Sequence, residues 1–275
     1  MRRLAIAILA VGVLGACAPG EENLAVVANA PSSLGTGPEQ RVLIGLFDPE
    51  SGESLASPDL PATVTLTGPD EKTIELPAEF LWTIEGIRGL YVTRFSFPAS
   101  GGWSVRLHPE GMAPTPATPF VIADDVSVPE VGEEARAVAT RTSADHPLEE
   151  ITTDPNPDPA FYQLSLDQAL TNGRPTVVVF ATPAFCESQT CGPLLDQVKE
   201  LSVNYPDSNF VHVEIYENID AASLDDLRLV PAVAEWGLPS EPWVFVIDPS
   251  GRVTARFEGA ASDEELAAAF AAVNP

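Results

Sequence analysis

The chain has 275 residues, 45% of them hydrophobic, with 27 prolines and 19 glycines, and this size and composition fit two domains better than one. Its 40 acidic and 14 basic residues give a formal net charge of −26 at pH 7. A surface this acidic repels nucleic acid and anionic lipid headgroups, so we exclude both as electrostatic partners.

The first residues carry the features of a secretion signal. Arg2 and Arg3 give a positive start, and the apolar run over 4–14 that follows is too short to span a bilayer comfortably. The run ends in the sequence Leu-Gly-Ala-Cys, which resembles the lipobox of bacterial lipoproteins. The resemblance implies that residues 1–16 are removed and that Cys17 is lipidated, which would hold the protein on the extracytoplasmic side of the cell membrane. The alternative is an ordinary cleaved signal peptide.

Residues 17–40 are small, polar and rich in Gly, Pro and Ser, and we interpret them as the lipidated tether. From 41 to 123 apolar and polar residues alternate in short runs separated by turns, which is the pattern of β-strands. These runs cover 41–47, 62–67, 73–76, 90–97, 103–108 and 120–123. The region predicts a small antiparallel β-sandwich, and the stretch 89–105 resembles the immunoglobulin-like accessory domains of bacterial surface proteins. We assign no chemistry to this domain.

Residues 124–159 differ from the segments on either side. They contain several prolines and many acidic residues but few large apolar ones. Because proline fixes φ and favours extended chain, this composition predicts a semi-rigid, acidic linker between two domains.

The C-terminal region, 160–275, alternates helical and strand patterns. The predicted strands are 175–181, 210–216, 243–247 and 253–257, and the predicted helices are 164–172, 194–204, 230–236 and a last one capped by Ser262. The order helix, strand, helix, strand, helix, strand, strand, helix predicts an α/β domain with a mixed central sheet flanked by helices.

Two cysteines remain once Cys17 is assigned to the lipid. Cys186 and Cys191 lie between the apolar strand 175–181 and the helix 194–204, in a compartment where disulfides persist. A cysteine placed just before a helix has a chemical use, because unpaired N–H groups and the helix dipole stabilise its thiolate, which is the nucleophilic form.

At this point the sequence resembles the thioredoxin superfamily. The matching features are a buried strand leading to Phe185 and Cys186, an amphipathic helix after Cys191, the segment 235–248, and a final hairpin and helix. The resemblance implies a thioredoxin-like fold and thiol–disulfide exchange, in which Cys186 attacks and Cys191 resolves the mixed disulfide. It also implies that Pro242 is a cis-proline that faces the two cysteines and shapes the catalytic site.

The spacing of the cysteines departs from the Cys-x-x-Cys of that superfamily. In a continuous helix, residues five apart have Cα atoms about 8.6 Å apart, beyond the limit of about 7 Å for a disulfide. A bond between Cys186 and Cys191 therefore requires residues 187–190 to form a loop, with the helix beginning near Thr190 or Cys191.

Acidic and aromatic side chains are expected to modify the site. Glu241, before the predicted cis-proline, and Glu187, after the first cysteine, place negative charge where it disfavours a thiolate and stabilises the disulfide. The alternative role for Glu241 is that of a base. Val179 stands where many thioredoxins carry a buried acid. Phe185 precedes the first cysteine, and Trp243 either packs in the core or forms a hydrophobic rim for a client protein.

We therefore predict a membrane-anchored thiol–disulfide oxidoreductase that acts on an extracytoplasmic client or redox-partner protein. The alternative is a non-catalytic surface lipoprotein in which the fold is a scaffold and the disulfide staples a loop; copper handling is a third hypothesis. No metal site is predicted, because two thiolates need further ligands and His212, the only histidine of this region, lies mid-strand. No organic cofactor is predicted, because the sequence has no Gly-rich phosphate-binding loop.

Overall fold

The computed structural model describes residues 23–30 and 32–274, and its strands form two sheets. The larger sheet contains β1 (Leu24–Val27), β2 (Gln40–Phe47), β3 (Ala62–Thr67), β4 (Thr73–Ile84), β5 (Arg88–Phe95), β6 (Gly101–Pro109) and β7 (Thr118–Ile122). These seven strands are hydrogen-bonded in the order β1-β2-β5-β4-β3-β6-β7. All of the neighbouring pairs are antiparallel.

One long strand explains why these strands form a single sheet. The first half of β4, Thr73 to Ala78, pairs with β3, and its second half, from Glu79 onward, pairs with β5. The two outer strands then approach each other, and the hydroxyl of Thr118 in β7 donates to the carbonyl of Ala25 in β1. The sheet is therefore nearly closed, and the apolar sides of its strands form a common core inside it.

This architecture corrects the predicted immunoglobulin-like β-sandwich. A sandwich consists of two sheets packed face to face, whereas β4 here continues the hydrogen bonding from one group of strands into the other. The prediction ended this strand at Leu76, just before Pro77. In the structure Pro77 lies inside β4, opposite Thr63, and the strand continues beyond it.

The smaller sheet contains β8 (Thr176–Ala181), β9 (Asn209–Glu214), β10 (Trp243–Ile247) and β11 (Val253–Glu258). Their order is β11-β10-β8-β9, with β8 parallel to β9 and the other pairs antiparallel. The α-helices are α1 (Leu148–Ile151), α2 (Leu166–Thr171), α3 (Cys191–Ser202), α4 (Pro231–Trp236) and α5 (Asp263–Val273). In the part of the chain that the structure describes, no helix combines the length and the apolar character needed to cross a membrane.

The two faces of the smaller sheet are buried in different ways. One face packs against α3 and α5, which contribute Leu194, Val198 and Phe270 to a shared core. The other face is covered by α2, by α4 and by the extended chain of residues 126–138. Because both faces are covered, every residue of β8 is buried.

The predicted fold class, an N-terminal sandwich with a C-terminal α/β thioredoxin-like domain, is wrong. The described residues are mostly β, with 33% strand and 18% helix, and three of the five α-helices among them span six residues or fewer. The local sequence keeps such helices short: α4 begins at Pro231 and ends at Gly237, which adopts the left-handed conformation. The four-stranded sheet is a second, small sheet next to the larger one, and extended chain covers part of one face.

The N-terminal segment contributes to the larger sheet. β1 lies within residues 17–40, which were interpreted as a tether, and it pairs with β2 over its whole length. The predicted signal peptide, residues 1–16, and the predicted lipidation site Cys17 lie outside the described residues. The domain boundaries given above stay a prediction.

The segment 124–159, interpreted as an acidic linker, follows the smaller sheet. The N–H of Gly132 donates to the carbonyl of Val253 at 2.8 Å, and the N–H of Ala135 donates to the carbonyl of Gly251 at 2.8 Å. These hydrogen bonds place this part of the segment alongside β11 and the turn that precedes it.

Buried charged groups join the two sheets. The carboxylate of Glu258, at the end of β11, accepts the side-chain amide of Asn29 at 2.9 Å and the hydroxyl of Ser33 at 2.7 Å. Arg41 of β2 forms a two-point ion pair with Glu265 of α5, with N–O distances of 2.9 and 2.8 Å. Since Glu258 is only 7% exposed, these contacts belong to the interior of the molecule and fix one sheet against the other.

Candidate functional site

The two cysteines that were predicted to pair are bonded to each other. Cys186 and Cys191 form a disulfide with their Cα atoms 6.0 Å apart, which confirms the predicted disulfide. Helix α3 begins at Cys191, and residues 187–190 form the loop that the spacing of the cysteines required. The site therefore lies where the chain passes from β8 into α3.

Hydrogen bonds within this loop surround the sulfur of Cys186. Its Sγ accepts the backbone N–H of Cys191 at 3.3 Å and lies 3.2 Å from the hydroxyl of Ser188. That hydroxyl lies 2.8 Å from the Oγ1 of Thr190. These polar groups and the N-terminus of α3 stabilise negative charge on the sulfur of Cys186 when the disulfide is open.

The two cysteines differ in exposure. Cys191 is 0% exposed and belongs to the core beneath α3, together with Val179 and Leu194. Cys186 is partly buried and packs at the edge of the same core. A thiol from another molecule therefore approaches the bond from the side of Cys186.

A carboxylate lies beside the disulfide. One oxygen of Glu241 and the sulfur atoms of Cys186 and Cys191 all lie within 4.8 Å of one another. Burial, and after it the negative charge of Glu187, raise the pKa of Glu241. Among the described residues, neither of these glutamates forms an ion pair with a basic side chain.

The turn that carries Glu241 is part of the core. The Glu241–Pro242 peptide bond is cis, and the carbonyl of Pro242 accepts the N–H of Gly259 at 2.9 Å. Trp243 is 1% exposed and stacks on Phe245, with ring centroids 5.4 Å apart. Trp243 therefore packs in the core and does not form an exposed rim.

Aromatic rings and further negative charge lie on the outer side of the loop. Phe185 meets Tyr216 edge-on, with ring centroids 6.1 Å apart, and both side chains are partly buried. Glu187 is exposed. Burial, and then the charges of Glu241 and Glu187, raise the pKa of Tyr216, so this phenol is neutral at pH 7.

A buried histidine lies next to β8. The Nδ1 of His212 is 2.7 Å from the hydroxyl of Tyr162, and its Nε2 is 3.2 Å from the carbonyl oxygen of Ala181. Burial lowers the pKa of His212 to about 4, so the ring is neutral at pH 7. The ring has hydrogen-bond partners on both nitrogens, and its position is that of a structural residue.

Sequence reasoning missed a buried acid in the same strand. The carboxylate of Glu214 accepts the N–H and the hydroxyl of Thr153 at 2.8 and 2.7 Å, and this hydroxyl accepts the N–H of Ala184 at 3.1 Å. Burial raises the pKa of Glu214. The alternation within 210–216 predicted only a strand, whose more polar face residues 152–162 cover in the structure.

A separate cleft of about 260 Å³ lies between the two sheets. Its arginines are paired with carboxylates: Arg41 and Arg94 with Glu265, and Arg256 with Glu130. These pairs belong to the contact between the sheets.

The chain matches no protein-family model and no curated protein. Among solved structures, it is similar to a lipoprotein from Bacteroides thetaiotaomicron that was determined by NMR in solution, with 13% sequence identity and a TM-score of 0.22. The alignment covers 40% of this chain and 85% of that chain. Similarity at this level establishes neither a shared fold nor a shared activity.

These comparisons correct the identification with the thioredoxin superfamily and with immunoglobulin-like domains. They give no support for a thioredoxin, and the part of the chain that the structure describes is mostly β. The resemblance rested on local features: an apolar strand leading to Phe185 and Cys186, an amphipathic helix after Cys191, the segment 235–248, and a final hairpin and helix. These features are present in the structure, but they do not make the chain a member of that superfamily.

Proposed function

We propose that the protein is a lipid-anchored, non-catalytic protein of the extracytoplasmic surface, in which the Cys186–Cys191 disulfide is structural. The observation that carries the proposal is the complete burial of Cys191 in the core of the smaller sheet. The disulfide fastens the loop 187–190 to the first turn of α3. A cross-link that ends inside a close-packed core stabilises the fold by holding the loop against it.

The charges around the bond support a disulfide that persists. Glu241 approaches both sulfurs, and the side chain of Glu187 follows Cys186 in the chain. Reduction yields thiols whose ionised forms these carboxylates repel. The oxidised form, which carries no charge, is therefore favoured.

The lipobox-like sequence before Cys17 supports anchoring at the membrane. β1 begins at Leu24, so the larger sheet starts close to the predicted point of attachment. The net charge of −26 keeps the body of the protein away from an anionic lipid surface. In this proposal the two joined sheets form a rigid body that another extracytoplasmic protein binds.

A turnover assay tests the non-catalytic role. The mature chain and a Cys186→Ser/Cys191→Ser double variant are added to insulin and dithiothreitol, and the rate of insulin reduction is measured. The proposal predicts that the two proteins give the same rate as buffer alone. An acceleration by the mature chain that is absent from the double variant contradicts it.

Thiol–disulfide exchange is a second candidate, favoured by the surroundings of Cys186. Its sulfur is partly accessible, accepts the N–H of Cys191 and lies near the hydroxyl of Ser188. In thiol–disulfide exchange a thiolate attacks and a thiolate leaves, and these polar contacts stabilise a thiolate at Cys186. This candidate predicts the acceleration that the first one excludes, so the same assay separates the two.

A further inference from the structure

We infer that the reduced form of the site binds one zinc ion through the sulfurs of Cys186 and Cys191 and a carboxylate oxygen of Glu241. The three ligand atoms already lie within 4.8 Å of one another. Zinc binds cysteine sulfur at about 2.3 Å and carboxylate oxygen at about 2.0–2.2 Å. In a tetrahedral site these ligand atoms are about 3.5–3.8 Å apart, so the group needs only a small rearrangement.

Opening the disulfide provides that rearrangement. The Cα atoms of Cys186 and Cys191 are 6.0 Å apart, so rotation about the Cα–Cβ bonds separates the sulfurs while the backbone stays in place. Cys191 and the buried turn at Pro242 hold one side of the site. The partly buried Cys186 leaves the other side open to water, which supplies the fourth ligand.

The reduced site also concentrates negative charge, which favours the binding of a cation. Two thiolates and Glu241 carry three negative charges, and Glu187 adds a fourth nearby. In the described part of the chain no lysine or arginine pairs with either glutamate. A bound dication offsets this charge, and the N–H of Cys191 that reaches the sulfur of Cys186 orients one ligand from outside the coordination shell.

The ligand set favours zinc over copper. Thiolates alone select Cu(I), whereas zinc accepts a mixture of thiolate and carboxylate. His212 does not add a nitrogen ligand, because both of its ring nitrogens face protein partners, Tyr162 and Ala181. The site that the structure offers is thus two sulfurs, one oxygen and water.

This inference does not depend on the proposed function, which concerns the oxidised form. A chain made in the cytosol leaves it with both cysteines as thiols. Zinc then displaces the two thiol protons. Disulfide formation instead removes two electrons and two protons from the thiols and passes them to an oxidising protein disulfide, which becomes a dithiol. Zinc and the oxidant therefore compete for the same pair of thiols.

Metal titration of the full mature chain tests the site. A phosphine reduces the disulfide and is itself oxidised to the phosphine oxide, and the protein is desalted without oxygen. Cobalt(II) is the spectroscopic probe, and zinc affinity is then measured against a chromophoric chelator. We expect one cobalt per chain with sulfur-to-cobalt charge-transfer absorption, which zinc removes.

Matched variants identify the third ligand. Glu241→Gln is expected to weaken zinc binding by at least about tenfold. Glu187→Gln, a substitution of the same kind at an exposed neighbour that supplies no ligand atom, is expected to have a much smaller effect. Near-ultraviolet circular dichroism of the oxidised variants checks that both are folded. Equal affinity of Glu241→Gln and the unchanged chain, or absence of the charge-transfer absorption, overturns the inference.

A second measurement covers the case in which Glu241→Gln does not fold. One equivalent of zinc is added to the reduced, unchanged chain, and alkylation of the thiols is followed by mass spectrometry. The inference predicts that zinc protects Cys186, the accessible cysteine of the pair. Alkylation at the rate seen without zinc overturns it. Because insulin reduction is measured in a different experiment, failure of this inference and failure of the proposed function are distinguishable.

Discussion

At the scale of single residues, burial sets the charge of the groups beside β8 and β9. His212 is neutral and has hydrogen-bond partners on both nitrogens, and Glu214 is held by the backbone and hydroxyl of Thr153. When a group has different pKa values in the folded and unfolded chain, the free energy of unfolding depends on pH. The direction follows from which state binds more protons.

His212 is expected to make the protein less stable in mild acid. Its pKa falls from the ordinary 6.5 to about 4 on folding, so between these values the unfolded chain binds a proton that the folded chain does not. Stability is therefore lost as the pH falls through this window, by about 2 kcal/mol between pH 7 and pH 5. Urea unfolding at several pH values measures the loss.

The His212→Gln variant is the control for this pH dependence. Other groups titrate in the same range, among them Glu214, whose raised pKa acts in the opposite direction. The difference between the two stability curves isolates the histidine. Curves that stay parallel from pH 7 to pH 5 would contradict the expected effect.

Glu241 is expected to lower the reduction potential of the disulfide. Glu241→Gln removes the carboxylate that approaches both sulfurs, so thiolates form more readily and the potential rises by about 10–30 mV. Equilibration with dithiothreitol buffers measures the change. Glu187→Gln is the control, and its shift is expected to be smaller because the exposed side chain of Glu187 is screened by water. A lower potential for Glu241→Gln would be the opposite of this expectation.

At the scale of secondary-structure elements, the larger sheet is continuous because β4 pairs with β5 as well as with β3. A Cβ atom on Gly89 would lie 2.3 Å from two ring carbons of Phe80 and 2.9 Å from the carbonyl oxygen of Leu81. Only glycine therefore allows the ring of Phe80 to pack over residue 89 of β5. The packing of this ring depends on the absence of a side chain on the neighbouring strand.

Gly89→Ala is expected to lower the free energy of unfolding by about 1–3 kcal/mol, because the added methyl group displaces the ring or the backbone. The matched control is Gly102→Ala in β6, where a Cβ atom meets nothing within 4 Å. That substitution is expected to change stability by no more than about 0.5 kcal/mol. Equal midpoints of urea unfolding for the two variants would show that position 89 tolerates a side chain.

Local sequence patterns predicted single elements better than their arrangement. The strand expected at 175–181 is β8 over Thr176–Ala181, and Ser262 caps α5 with its hydroxyl accepting the N–H of Glu265. Such features depend on neighbouring residues. Which strands pair depends on distant ones, and for that reason neither the continuation of β4 past Pro77 nor the closure of the sheet was predicted.

The same limit applies to the candidate site. The pairing of Cys186 with Cys191 followed from the count of cysteines once Cys17 was assigned to the lipid, and the loop between them followed from helix geometry. Glu241 is far from both cysteines in the sequence, and only the resemblance at Pro242 led us to expect it beside them. In the structure it reaches them because β10 pairs with β8. The burial of Glu214 depends on a segment that looked like a solvated linker. That burial depends on the tertiary structure and could not be predicted from the local sequence.

At the scale of the whole molecule, the two sheets share buried polar contacts. Glu258 of the smaller sheet accepts hydrogen bonds from Asn29, Ala30 and Ser33, which precede β2. Arg41 and Glu265 form an ion pair across the same contact. Groups that are buried only when both sheets are folded link the unfolding of one sheet to that of the other.

Glu258→Gln is expected to destabilise the chain by about 2–4 kcal/mol, because one amide oxygen replaces two acceptor oxygens and the amide N–H₂ faces donors. Loss of these contacts between the sheets should also replace the single unfolding transition by two, one for each sheet. Glu264→Gln is the control, since Glu264 is exposed on the first turn of α5. Calorimetry measures both, and a single unshifted transition for Glu258→Gln would contradict the expected coupling.

The measurement that most directly tests the structural role of the disulfide is the reduction potential of the Cys186–Cys191 pair in the mature chain. The protein is equilibrated in thiol–disulfide buffers, and the fraction of oxidised pair is read by alkylation and mass spectrometry. A buried, structural bond beside carboxylates is predicted to have a potential below about −300 mV. A potential between about −120 and −270 mV, the range of exchange catalysts, would contradict the structural role.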